Sequence, residues 1–72
     1  MNHYEPINST QAAKMFGISK LTWYRHNVAA KIPKPSRLGK FLMWDRNELA
    51  QWAAAGMPNR EIWEAMKEGW GQ

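Results

Sequence analysis

The first apolar positions of the chain recur at helical spacing. Ala12, Ala13 and Phe16 fall on one face of a helix. Either Asn8 or Ser9 can cap the start of this helix, and Asn8 with a glutamine three residues later approximates a capping box. We expect this helix to end at Gly17, because glycine adopts the left-handed conformation of a helix C-terminus with the least strain.

A second helix is predicted to begin after Ser19, whose hydroxyl can cap it, and to continue to about residue 28. Two faces of this helix compete for burial. One face carries Trp23, His26 and Asn27. The other is an apolar stripe at positions i, i+3 and i+7, formed by Leu21, Tyr24 and Val28. We favour burial of Trp23, which leaves the second face available to a ligand.

Extended chain is predicted after the second helix, because Pro33 and Pro35 exclude a helix there. Two short runs that contain apolar residues then follow, at 36–38 and 41–44, and they flank Gly39 and Lys40. A glycine-containing pair between two such runs favours a β-hairpin with a tight turn.

Two more helices are predicted in the remaining sequence. Asp45 and Glu48 have the spacing of a capping box at the start of the third helix, and Gly56 marks its end. Pro58 allows a fourth helix to begin. The apolar stripe of that helix consists of Ile62, Trp63 and Met66, and we expect the helix to end at Gly69.

This order of elements predicts a mainly α fold with a small β-hairpin, in the form of a winged helix-turn-helix with an added C-terminal helix. A chain of 72 residues has the size of one domain, which we place at residues 1–72. The helix-turn-helix is expected at about 9–28, the wing at about 35–44, and the later helices at about 46–55 and 58–68. Five Trp, two Tyr and two Phe residues supply apolar area for a core.

Positive charge is concentrated in the middle of the sequence. The net charge is only +4. Between residues 14 and 46, however, the single acid Asp45 is outnumbered by eight cations: Lys14, Lys20, Arg25, Lys31, Lys34, Arg37, Lys40 and Arg46. The segment after residue 46 is acidic on balance. This asymmetry predicts a middle region that binds a polyanion. Together with the predicted helix-turn-helix, it indicates double-stranded DNA as the partner.

The sequence lacks the residues that several other classes of function require. There is no cysteine, and His3 and His26 have no further ligands at metal-binding spacing, so we expect no metal, no cofactor and no catalytic residues. The prediction is therefore that the protein is not an enzyme. No apolar run is long enough to span a membrane, and the N-terminus lacks the pattern of a secretory leader. These features predict a cytoplasmic protein that associates with the nucleoid and not with a membrane.

Several of these segments together resemble a known family. In chain order they are Ala12-Ala13, Gly17-Ile18-Ser19, Thr22-Trp23-Tyr24-Arg25, Pro33-Lys34-Pro35, Arg37-Leu38-Gly39, Trp44 and Glu48-Leu49-Ala50-Gln51-Trp52. The set resembles the AlpA-type phage regulators, which are similar to excisionases and, more distantly, to the DNA-binding domain of MerR regulators. The resemblance covers about residues 5–54. It implies sequence-specific binding of duplex DNA, either to regulate prophage or mobile-element genes or to direct site-specific excision.

The chain departs from that family pattern at three positions. His26 and Asn27 stand where the family usually has apolar residues, and Ala30 stands where it usually has glycine. The fourth helix lies beyond the resemblance, so no role is carried over to it.

The second helix is expected to supply the residues that read bases. With Trp23 buried, its outer surface would carry Lys20, Leu21, Thr22, Tyr24 and Arg25. Arg25 is the best candidate for a bidentate contact to guanine, and Thr22 or Leu21 could pack on a thymine methyl group. Leu21 is an equally good candidate for a core residue that touches no DNA. Tyr24 is a better candidate for a phosphate donor or a half-buried packing residue than for a base reader.

Phosphate contacts are expected from Lys14, Lys31 and Lys34, and from the helix N-terminus that Ser19 caps. Such contacts position a protein on DNA without reading the sequence. Arg37 and Lys40 flank the predicted wing turn, from which a cationic side chain can reach an adjacent minor groove.

The C-terminal helix leaves a second hypothesis open. Its large apolar residues, Trp63, Met66 and Trp70, either pack back on the domain or remain exposed. In the exposed case the helix would mediate self-association, or the protein would be an interaction module that docks an integrase or another recombinase, or a polymerase.

Overall fold

The computed structural model describes residues 4–70, which form four helices and a three-stranded antiparallel sheet. The helices are α1 (Ser9–Met15), α2 (Lys20–Val28), α3 (Arg46–Ala54) and α4 (Arg60–Trp70), and the strands are β1 (Pro6–Ile7), β2 (Ser36–Leu38) and β3 (Phe41–Asp45). The prediction of a mainly α fold with a small β-hairpin is confirmed at this level. His3 and the side chain of Trp70 lie outside the described residues.

The first two helices begin at the caps that the sequence indicates. At α1, the Asn8 side chain accepts the Gln11 backbone N–H at 2.9 Å, and the Gln11 side chain accepts the Asn8 backbone N–H at 3.0 Å, which completes the capping box. At α2, the Ser19 hydroxyl accepts the Thr22 backbone N–H at 3.1 Å. Between the helices Gly17 has φ 69°, the left-handed conformation expected of it.

The sheet contains one strand that the sequence pattern did not predict. Strand β3 is central, with β2 antiparallel on one side and β1 antiparallel on the other. The predicted hairpin is present: Leu38 pairs with Phe41 around Gly39 and Lys40, and Gly39 has φ 61°. Strand β1 has only two residues, too few to show the alternation by which a strand is recognised, and it is defined by its backbone pairing with the distant β3.

The start of α3 differs from the predicted capping box. Asp45 caps the helix, accepting the Asn47 backbone N–H at 3.1 Å. Glu48 points elsewhere: its Oε2 accepts hydrogen bonds from Trp63 Nε1 at 2.9 Å and from Lys67 Nζ at 2.6 Å. A buried indole N–H and an ammonium group compete more strongly for this carboxylate than a solvent-exposed backbone amide does. Glu48, which was expected to complete the capping box of α3, therefore joins α3 to α4 instead.

Lys67 is held between two acids on that same surface. Besides Glu48, it forms an ion pair with Glu64 at 3.1 Å. Burial lowers the pKa of Lys67, but the hydrogen bonds and charges of Glu48 and Glu64 outweigh this effect and raise the pKa above its ordinary value. The ion pairs thus favour the charged lysine at the α3–α4 contact.

The fourth helix begins later and ends later than predicted. It starts at Arg60 and not at Pro58, because the Asn59 side chain accepts the Ile62 backbone N–H at 2.9 Å and caps the helix. Pro58 stays outside the helix, and its carbonyl accepts the Trp52 indole N–H at 2.7 Å. At the other end the helix continues through Gly69 to Trp70.

Aromatic side chains form the centre of the core. The Trp23 ring stacks on Phe16 with centroids 5.6 Å apart, and it meets Trp44 edge-on at 5.5 Å. Phe16 in turn meets Trp52 edge-on at 5.6 Å. The buried apolar residues of the described chain are Ala12, Ala13, Trp23, Ile32, Trp44, Leu49, Trp52 and Trp63. Every helix and the central strand contribute to this cluster.

The choice between the two faces of α2 is settled by burial. Trp23 is 1% exposed, whereas Leu21, Tyr24 and Val28 are 56%, 53% and 68% exposed. The favoured burial of Trp23 is confirmed, and the alternative in which Leu21 is a core residue is wrong. Burial of Trp23 brings its ring into contact with both Phe16 and Trp44, which joins α2 to the end of α1 and to the central strand.

Backbone strain at Ala30 leads to a stability prediction. Ala30 has φ 58°, a left-handed conformation that costs a residue with a β-carbon about 1–2 kcal/mol. Replacing it with glycine removes this cost and adds the entropic cost of glycine, about 0.5–1 kcal/mol. Ala30→Gly is therefore expected to raise the free energy of unfolding by about 0.5–1 kcal/mol in urea denaturation.

The neighbouring alanine provides the matched control. Ala29 has φ −82°, which any residue adopts without strain. Ala29→Gly is expected to lower the free energy of unfolding by about 0.5–1 kcal/mol. If both variants lose stability to the same degree, Ala30 carries no strain.

Candidate nucleic-acid interface

The outer surface of α2 combines cationic and apolar side chains. Lys20, Leu21, Tyr24 and Arg25 are all exposed on it. Thr22 is only half-exposed, and its hydroxyl accepts a hydrogen bond from the Ser19 hydroxyl at 2.9 Å. The predicted base-reading set is thus on one solvent-facing surface, except that Thr22 and Ser19 are engaged with each other at the cap.

The segment after α2 is fixed to the core and presents Lys34. Ile32 and Pro33 are buried, and the Pro33 carbonyl accepts the Trp44 indole N–H at 2.9 Å. Lys34 itself is exposed. Because its neighbour is held by a buried hydrogen bond, the backbone from which Lys34 projects has a defined position.

The hairpin turn places Arg37 and Lys40 in solvent. Lys40 Nζ lies 5.9 Å from the centre of the Phe41 ring, within range of a cation–π contact. The turn residue Gly39 has a positive φ and no side chain, so the tip of the hairpin is narrow.

A cleft of about 280 Å³ joins three elements of the molecule. It lies between the N-terminus of α1, the N-terminus of α2 and the hairpin, and its lining residues are Asn8, Ser9, Thr10, Lys20, Lys40, Phe41 and Leu42. Two of these described residues are cationic and none is acidic. The fold therefore brings Lys20 and Lys40, which are distant in sequence, to one cleft with polar side chains of α1.

The remaining predicted residues lie outside this cleft. Arg25, Lys34 and Arg37 are exposed but do not line it.

The single acid of the basic stretch, Asp45, accepts hydrogen bonds from the backbone N–H groups of Asn47 at 3.1 Å and Glu5 at 3.2 Å. The eight cations between residues 14 and 46 are all solvent-exposed.

Arg60 fixes the far end of α2 and was missed by the sequence analysis. Its Nη2 donates to Asn27 Oδ1 at 2.7 Å and, at a longer 3.4 Å, to the Asn27 carbonyl. Its Nε donates to the Ile32 carbonyl at 3.0 Å, and its backbone N–H donates to the Ala30 carbonyl at 3.0 Å. A cation at the C-terminal end of a helix is also favoured by the helix dipole. The signal in the sequence was Asn27, a polar residue where the resemblance to AlpA-type regulators implies an apolar one.

His26, the other off-pattern residue of α2, lines a second cleft. This cleft has a volume of about 300 Å³, and its other lining residues are Phe16, Ile18, Trp23, Lys31, Ile32, Trp52 and Met57. Its walls are mainly apolar, and Trp23 and His26 are the residues of α2 that line it. Among residues 4–70, no group of three or more His, Cys, Asp or Glu side chains is arranged to hold a metal ion.

Comparison with protein-family models, curated proteins and solved structures finds no match to this chain. In the part of the chain that the structure describes, no helix has the length and apolar character needed to cross a membrane.

The Arg60 contacts predict a coupled loss of stability. Arg60→Met leaves the Asn27 side chain and the Ile32 carbonyl without their donor, so we expect a decrease in the free energy of unfolding of about 2 kcal/mol. Asn27→Ala should cost about 1 kcal/mol, and the double variant should cost less than the sum, because both changes remove one shared interaction. Urea denaturation of the three variants measures the coupling.

Arg46→Met is the matched control, since it removes an exposed arginine from α3. It should leave stability nearly unchanged. Additive costs for Arg60→Met and Asn27→Ala would show that the two side chains do not stabilise each other.

Proposed function

We propose that this protein binds double-stranded DNA in a sequence-specific manner as a winged helix-turn-helix. In this proposal α1 and α2 are the helix-turn-helix, α2 enters the major groove, and the β2–β3 hairpin is the wing. The observation that carries it is the cleft in which Lys20 of α2 and Lys40 of the hairpin meet without an acidic lining residue. Two elements that could each contact DNA thus share one positively charged side.

The electrostatics of the surrounding surface support this proposal. Duplex DNA carries one negative charge per ~1.7 Å of its axis, so a protein gains affinity from cations spread along one face. Exposed cations lie on α2, on the segment after it and on the hairpin, represented by Arg25, Lys34 and Arg37. The same surface offers neutral contacts as well, because Leu21 and Tyr24 are more than half exposed beside Lys20 and Arg25.

Each part of the surface has a distinct role in the proposal. Arg25 on α2 reads a guanine through two hydrogen bonds, and Leu21 packs on a thymine methyl group. Lys34 and Lys20 bind backbone phosphates and set the position of α2. Arg37 and Lys40 hold the hairpin at the adjacent minor groove.

The biological output proposed for this binding follows the resemblance to AlpA-type regulators and excisionases. The protein would regulate genes of a prophage or mobile element, or direct a recombinase toward excision. One domain of this size contacts few base pairs, so we expect two or more copies to bind neighbouring sites.

The alternative of an interaction module that docks a partner through α4 has less support. Trp63 is fully buried, and Met66 packs against the core cluster. Of the large apolar residues of α4 that the structure describes in full, Ile62 is the exposed one, at 51%. The apolar stripe of this helix therefore packs mainly against the core of the same chain.

The first test of the proposal separates base reading from phosphate binding. Sites are selected from random duplexes with the full chain, and dissociation constants are measured on the selected site and on an unrelated duplex. Arg25→Ala is expected to cost about 1–3 kcal/mol on the selected site and to lose discrimination at one base pair. Lys34→Ala should weaken binding to both duplexes alike and reduce the slope of log K against log salt by about 1. Equal affinities for wild type and both variants would contradict the assigned roles.

The second test concerns the cleft that joins α2 to the hairpin. Lys20→Gln and Lys40→Gln should each lower the salt slope by about 1, and the double variant by about 2, because each removes one phosphate contact. Arg46→Gln makes the same change in net charge on α3. It should reduce affinity for the selected site less than either lysine variant does. If Arg46→Gln reduces binding as much as either lysine variant, binding follows total charge and the cleft has no special role.

A further inference from the structure

The tip of the hairpin carries an apolar pair that is open to solvent. Leu38 is 67% and Phe41 is 60% exposed. The two residues are cross-strand partners on either side of the two-residue turn. Single exposed apolar side chains are common on proteins, but cross-strand partners lie close enough to form one small apolar surface.

The alternation of side chains along β3 separates this pair from the core. Leu42, the next residue, packs against the buried cluster, so Phe41 projects from the opposite face of the strand. The exposed face of an antiparallel hairpin that covers a core is ordinarily polar. Packing against the core therefore does not account for Leu38 and Phe41, and the contact of Lys40 with the Phe41 ring leaves Phe41 60% exposed.

The charges around the pair limit what can cover it. Arg37 precedes Leu38 in the chain, Lys40 precedes Phe41, and Lys20 lines the same cleft as Phe41. A second copy that docked tip to tip with two-fold symmetry would place these cations against themselves. Two side chains also provide far less than the ~800 Å² per partner that a stable interface buries. Duplex DNA satisfies both conditions, because its phosphates attract these cations and the contacts proposed for α2 supply the area that two side chains lack. Its stacked bases also offer apolar surface to the pair.

We propose that Leu38 and Phe41 form a wedge that enters the minor groove and partly unstacks one base step, so that the protein kinks the DNA it binds. This inference rests on the proposed DNA binding and adds deformation of the duplex to it. Arg37 and Lys40 bind the phosphates that border the opened groove. Inserted apolar side chains of this kind bend a duplex by about 20–90°.

The hairpin is too wide to enter the minor groove of undistorted DNA, so it can insert only where that groove is opened. The minor groove is about 6 Å wide, whereas two strands about 4.8 Å apart, with their side chains, exceed that width. Gly39 adds no side chain to the two-residue turn, so the turn itself adds only the side chain of Lys40 to the tip. Insertion at the tip and widening of the groove therefore occur together.

The test measures unstacking and bending on a selected duplex. The adenine analogue 2-aminopurine is placed at each base step near the site in turn, and donor and acceptor dyes label the two ends. The full wild-type chain is expected to raise 2-aminopurine fluorescence at one step and to increase energy transfer between the ends. It should bind a duplex with two adjacent mismatches at that step roughly tenfold tighter than the intact duplex, because the unstacking cost is already met.

Substitution of the pair should abolish these effects without abolishing binding. Leu38→Ser with Phe41→Ser is expected to remove the fluorescence change, the energy transfer and the mismatch preference. Leu38→Thr with Phe41→Thr keeps strand propensity and should behave in the same way. Retained binding of the selected duplex by both double variants excludes an effect of unfolding. Ile62→Ser removes a similarly exposed apolar residue from α4 and should retain all three signals.

The outcomes that would overturn the wedge are distinct from those that would overturn DNA binding. Tight binding by the wild-type chain with no change in fluorescence or energy transfer contradicts the wedge and leaves the proposed function intact. Unchanged kinking by the serine and threonine variants does the same. Failure to bind any duplex refutes both proposals. If the wild-type chain dimerises in sedimentation without DNA and the double variants do not, the pair is a contact between copies and the wedge is refuted.

Discussion

Burial of one indole ring, that of Trp23, is the constraint on which the rest of the structure depends. Its stacking on Phe16 joins α2 to the end of α1, and its edge contact with Trp44 joins α2 to the sheet. Since α2 has one buried face, fixing Trp23 inside also fixes Leu21, Tyr24 and Arg25 outside. The chemistry of the candidate interface is thus determined by an apolar contact on the opposite side of the helix.

Polar contacts then hold the surrounding segments to this centre. Arg60 binds the C-terminal end of α2 and the chain that follows it, so the helix proposed to enter DNA is anchored at both ends, by Ser19 and by α4. The Trp44 indole N–H fixes the segment that bears Lys34. In a chain this short, helix α4 contributes to stability by supplying Trp63 to the core and Arg60 to α2.

Much of the fold could be predicted because its signals are local. Caps at Asn8 and Ser19 and the turn glycines act over a few residues, so the sequence indicates α1, α2 and the hairpin close to their observed positions. The errors occur where a distant partner competes. Glu48 leaves its predicted cap for Trp63 and Lys67, and β1 exists only because β3 pairs with it. The start of α4 at Arg60 reflects an Asn59 cap that the nearby Pro58 obscured.

In the candidate site, too, some features follow from the sequence and others only from the tertiary structure. The sequence by itself determined which residues are cationic, because charge belongs to a side chain wherever it lies, but it left two faces of α2 competing for burial. Only the tertiary structure decided that Lys20 and Lys40 share a cleft, that Asn27 receives Arg60, and that Leu38 and Phe41 remain uncovered at the hairpin tip. Those facts depend on how separate elements pack and on strand register, which are set by long-range contacts rather than by neighbours in the chain.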